Sequence, residues 1–144
     1  MLRDEVRQNY LPQLSIVFIL GPYRTTADIS RFSAVLIGKL PELGHANRRQ
    51  IASLAGLAPH AHDSGYMRGK RRIWGGRKEV KSALYIAAFI ASRKDPEMMA
   101  ERVRMREAGK PFKVITIALA RKLLTRLNTM VKEQRNYRFE TLAC

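Results

Sequence analysis

The stretch "HDSGYMRGKRRIWGG", residues 62–76, places one serine hydroxyl at the head of a dense run of positive charge. Ser64 lies between Asp63 and Gly65, and Arg68, Lys70, Arg71 and Arg72 follow it. Arg77, Lys78 and Lys81 extend the run, opposed only by Glu79. A serine acts as a nucleophile when a base removes its proton and cations stabilise charge growing on the attacked group. His60, His62 and Asp63 are candidate bases by sequence proximity, and Arg68, Arg71 and Arg72 are candidate stabilisers. The simpler reading is a polar turn that opens a basic surface loop.

The same residues have the composition of a nucleic-acid contact. If about five of the cations met phosphates, binding would fall with salt at a log–log slope near −4.5. Gly65, Gly69, Gly75 and Gly76 let a backbone approach a phosphate closely, and Tyr66 and Trp74 offer faces on which unpaired bases can stack. Metal chemistry finds little support. Three histidines and scattered acids contain no H-E-x-x-H pattern, and the single cysteine, Cys144, excludes both an intrachain disulfide and a cysteine zinc site. "GYMRGKRR" carries a Gly-Lys step but no Walker loop.

The whole chain shares this electrostatic character. Against 27 Lys and Arg stand 12 Asp and Glu, a formal net charge of +15 that points to a polyanionic partner, nucleic acid before anionic membrane. A membrane role is the weaker alternative, because the helical segments lack a broad exposed apolar face. "LSIVFIL", Leu14–Leu20, is too short to span a bilayer, and the residues before it resemble no secretory signal. A cytoplasmic, nucleoid-associated protein is expected.

Helices must position the basic stretch. Ile29, Phe32, Val35, Leu36 and Leu40 recur at helical spacing from Thr26 until Pro41 intervenes. Asn47 is placed to cap a second helix that buries Ile51, Leu54 and Ala55 and ends at "GLAP". Residues 59–76 lack helical periodicity and are expected to form a loop or a β-hairpin. A third helix, from Arg77 to Arg93, carries Val80, Leu84, Ala87, Ala88 and Ala91 inward, with Lys78 and Lys81 outward. Asp95-Pro96 opens a charged helix that Gly109 closes. Pro111 starts the longest helix, where Val114, Ile117, Ala118, Arg121, Leu124 and Leu127 alternate between core and basic face. The expected fold is an all-α, helix-hairpin-helix-like domain with a basic insertion, over residues 25–138. Residues 1–24 form an N-terminal segment and 139–144 a tail.

An ordered set of landmarks spans residues 31–132: "PELG", "RRQIASLAGLAP", "DSG", "RGKR", "GGR", "ALY", "GKPFKV", "ARKLL" and "LN". Together they closely resemble the C-terminal domain of bacterial transposases of the insertion sequence 110 family. The resemblance implies a recombinase in which a serine, here Ser64, attacks a DNA phosphodiester and is transiently joined to the strand. It further implies an N-terminal RuvC-like domain with four metal-binding acids, and a structured guide RNA. Residues 1–30 offer only Asp4, Glu5 and Asp28, so magnesium is expected only through a separate RuvC-like domain and no cofactor within this chain. DNA is the expected partner, with guide RNA and a full-length transposase or second copy as further partners. The family's hairpin turn aligns with Ala27–Ala34, where Asp28 and Ser30 occupy its glycine positions. An aspartate there opposes phosphate contact, and the N-terminal segment then reads as a remnant of a truncated element. The alternative is a non-catalytic DNA- or RNA-binding module of the same fold.

Overall fold

The structure is a computed structural model that describes residues 26–61 and 71–133. Among them are five helices: α1 (Thr26–Lys39), α2 (Arg48–Leu54), α3 (Lys78–Lys94), α4 (Pro96–Glu107) and α5 (Phe112–Glu133). Two short strands, β1 (Pro59–Ala61) and β2 (Arg71–Ile73), pair antiparallel between α2 and α3. The all-α class is observed, and the basic insertion is hairpin-like at its base.

Local chemistry sets most boundaries. The Asn47 side chain accepts hydrogen bonds from the Arg49 and Gln50 amides, while Gln50 accepts from the Asn47 amide, a complete capping box. Asp95 accepts from the Glu97 and Met98 amides, with Pro96 in the first helical turn. At the far end of α4, Gly109 takes φ 74°, the Gly109 amide donates to the Arg106 carbonyl and the Lys110 amide to the Met105 carbonyl. This Schellman geometry stops the helix and fixes the corner into α5.

One apolar core joins the helices. Phe32, Leu36 and Leu40 of α1 and its C-terminal edge meet Ile51 of α2, Val80 and Leu84 of α3, and Met98 of α4. The α5 contribution is Ile115, Leu119, Leu123, Leu124 and Leu127, all essentially buried. Val114, by contrast, is 51% exposed and Ala118 also faces solvent. Because α5 packs against α2, α3 and α4, its buried stripe is wide and begins at Ile115.

Residues 27–34 are helical throughout within α1, so the hairpin turn that the family alignment places there is replaced by helix. Among the described residues no helix is long and apolar enough to cross a membrane.

Candidate nucleic-acid interface

The basic insertion grows from a tightly fastened base. After α2, Gly56 turns the chain with φ 70°, and the Leu57 amide donates back to the Ala52 carbonyl. The strands then pair Pro59 with Ile73, His60 with Arg72 and Ala61 with Arg71. Ser64, Arg68 and Lys70 lie outside the described residues, as do His62, Asp63, Gly65, Tyr66 and Gly69. Arg71 and Arg72 are placed by their backbone in β2. Trp74, directly after β2, is 64% exposed.

Of Gly75 and Gly76, both expected to approach a phosphate, Gly76 is turned against the protein itself, while a side chain on Gly75 would meet open space. Both hold positive φ, 74° and 72°. A Cβ on Gly76 would overlap the Gly56 backbone, and one on Gly56 would overlap the Gly75 carbonyl. Two main-chain segments therefore touch where side chains would keep them apart. The Arg77 amide adds a hydrogen bond to the Leu54 carbonyl at 2.9 Å, joining the end of α2 to the start of α3.

The Arg77 guanidinium is engaged as well. Its Nη1 donates to Glu42 Oε2 at 2.6 Å and its Nη2 to Glu42 Oε1 at 2.7 Å, a two-pronged pair across 35 residues of sequence. The hydrogen bonds from Arg77 outweigh burial and hold the Glu42 carboxyl down to about 2. Two of the five guanidinium N–H donors are thereby committed to Glu42. Arg77 is thus a positioning residue that ties the hairpin base to the α1–α2 turn. Lys78 is exposed, Lys81 half-buried, and Glu79 pairs with Lys39 at 3.3 Å on the surface. Of the expected cations with described side chains, Lys78 is thus the exposed one on α3, with half-buried Lys81 one turn later.

Two further groups support the base. Asn128 of α5 accepts from the Gly44 amide through Oδ1 at 2.8 Å, and its Nδ2 donates to the Ala46 carbonyl at 3.0 Å. It clamps the turn that carries Glu42. An asparagine four residues after Leu124, on an apolar stripe, is the sequence signal of such a buried clamp. An open cleft of about 710 Å³ lies beside the turn, lined by Glu42, His45, Gln50, Ser53 and Leu54 among others. Among the described residues no group of three His, Cys, Asp or Glu side chains could hold a metal ion.

A sequence model of the IS116/IS110/IS902 transposases matches residues 30–104, which span α2, the hairpin, α3 and most of α1 and α4. The chain belongs to this transposase family. Among individual relatives, the pilin gene-inverting proteins of Moraxella lacunata and Moraxella bovis are each 39% identical over 92 residues, covering 62% of this chain and 29% of theirs. The insertion element IS900 uncharacterized 42 kDa protein of Mycobacterium paratuberculosis is 31% identical over 109 residues, 75% of this chain and 27% of its own. The chain therefore spans under a third of the length of the curated relatives it matches.

Proposed function

We propose that this chain is the C-terminal, serine-bearing domain of a DNA transposase and that it holds a DNA strand against Ser64 for cleavage and rejoining. The observation that carries the reading is the family match across residues 30–104, which includes Ser64 and the whole basic stretch. The pilin gene-inverting relatives, by their name, invert a gene segment, and DNA rearrangement is what a strand-transferring serine would serve here.

In the proposed step a base takes the Ser64 hydroxyl proton as Oγ bonds to phosphorus. One phosphate–deoxyribose bond breaks, and the departing alkoxide is protonated to a free hydroxyl. The phosphodiester energy is kept in the serine–phosphate ester, so a second hydroxyl can reverse the step and rejoin a strand. Arg68, Lys70, Arg71 and Arg72 stabilise the phosphoryl charge, and Lys78 and Lys81 grip the backbone farther along. The glycine-packed base and the Glu42–Arg77 pair support the reading, because a nucleophile must be held to within a fraction of an ångström of its target.

The test incubates the chain with element-end DNA, alone and with a full-length relative whose own serine is replaced. A covalent protein–DNA band is expected in the complemented mixture and is lost in Ser64→Ala. An unchanged band in Ser64→Ala sinks the nucleophile assignment. Strong filter binding with no band in either mixture makes the domain a binding module without chemistry.

A further inference from the structure

Phe112, the first residue of α5, is 55% exposed. Its ring meets Phe89 of α3 edge-on, with centroids 5.9 Å apart and planes at 81°. The Arg93 guanidinium lies over the other aromatic ring, 4.3 Å from the Phe89 centroid. Exposed Lys110 and Lys113 flank Phe112 in sequence, and the Gly109 cap holds their backbone in a fixed corner. Between residues 102 and 121 the cations Arg102, Arg104, Arg106, Lys110, Lys113 and Arg121 face one acid in sequence, Glu107.

We propose that this corner is a second nucleic-acid contact, specific for single strands: an unpaired base stacks on Phe112 while Lys110, Lys113 and Arg93 hold the adjoining phosphates. Aromatic faces beside cations are the elements of sequence-tolerant single-strand binding, since every base has a face to stack. A duplex keeps its bases stacked on one another and cannot offer one to Phe112. Charge selects the occupant. A second copy of a chain with net charge +15 would bring like charges together at this corner, whereas a polyanion is attracted to it. The corner is separate from the basic hairpin. Phe89 lies eleven residues after Lys78, the first residue of α3, which is about 16 Å along the helix axis at the usual rise per residue. The inference shares the polyanion partner of the proposed function but does not depend on Ser64.

The test uses the full chain, a labelled oligothymidylate and a duplex of equal length, read by fluorescence anisotropy. Phe112→Ala is expected to weaken single-strand binding about tenfold, with duplex binding changed less than about twofold. Lys110→Ala with Lys113→Ala is expected to flatten the single-strand salt slope by about 1.4, the value for two lost phosphate contacts. Lys39→Ala, a surface control already paired with Glu79, leaves both probes unaffected. In a Trp74→Phe background, Phe112→Trp supplies a single tryptophan whose emission the oligothymidylate should quench, and which reports a folded corner directly. Equal losses for both probes in Phe112→Ala overturn the proposal, as does an unchanged single-strand affinity or an unquenched tryptophan. A shift in sedimentation on Phe112→Ala would instead assign the corner to self-association. A normal covalent band with a silent Phe112 defeats this inference alone, and no binding of either probe defeats both readings.

Discussion

The hairpin base and the α4–α5 seam are both places where distant segments are fastened, and they are fastened differently. At the base, the decisive contact is main chain on main chain: Gly56 against Gly75 and Gly76, with the Arg77 amide bonded to the Leu54 carbonyl. Along the seam, charge does most of the joining. Lys122 of α5 lies 2.7 Å from Glu97 and 2.8 Å from Glu101 of α4, and Arg126 reaches both Glu97 and the buried Asp95. Contact by shape has no dependence on salt or pH. Contact by charge has both. The part nearest the proposed chemistry is thus the part least exposed to solution conditions.

Gly76→Ala should have the largest effect. The added Cβ collides with the Gly56 backbone and also strains a residue at φ 72°, so a loss of roughly 3 kcal/mol or more is expected. In thermal unfolding this corresponds to about 6–12 °C for a domain of this size, with no recovery in high salt. A shift under about 2 °C would mean the two segments part easily.

Asp95→Ala tests the seam. It removes the α4 cap and the Arg126–Asp95 ion pair, at an expected cost of about 2 kcal/mol. Unlike the glycine change, its cost should shrink in high salt, because part of it is an ion pair. Equal costs at low and high salt would erase the distinction between the two regions.

Acid should produce the smallest and most selective change. Hydrogen bonds from Lys122 hold the Glu97 and Glu101 carboxyls below their ordinary 4.5, against burial that would raise them. Their stabilisation is therefore complete above about 4.5 and declines as pH falls through the lowered folded values. Burial pulls the Lys122 ammonium down, but hydrogen bonds to Glu101 and Glu97 carry it above its ordinary 10.5. Its contribution is lost only as pH rises beyond that. Glu42, held to about 2 by Arg77, keeps its charge to the lowest pH. Both partners of that pair are more than a third exposed, so its loss should cost little stability. Amide exchange should accordingly show α4 loosening in acid before the Leu54–Arg77 bond opens; the reverse order would contradict the assignment.

Much of this frame was legible because it is local. Asn47, Asp95-Pro96 and Gly109 act on residues within one helical turn, so spacing alone locates the ends of α2, α3 and α4. The hairpin was narrowed to two options by its missing periodicity. What could not be read were contacts between segments far apart in sequence. Arg77 looks like one more phosphate cation until Glu42 is brought beside it from 35 residues away. Gly76 looks like part of a phosphate cradle until Gly56 arrives. The α5 face blurred for a related reason: three helices pack on it, so its apolar residues cover most of the circumference and periodicity loses contrast.

Asn128 has a consequence for how the chain is made. Its partner, the Gly44 amide, precedes it by 84 residues. At ordinary translation rates a ribosome delivers one roughly 4–17 s before the other. Throughout that interval the turn bearing Glu42 waits for its clamp, so α1 and α2 can assemble early but are secured only when the last described helix is delivered.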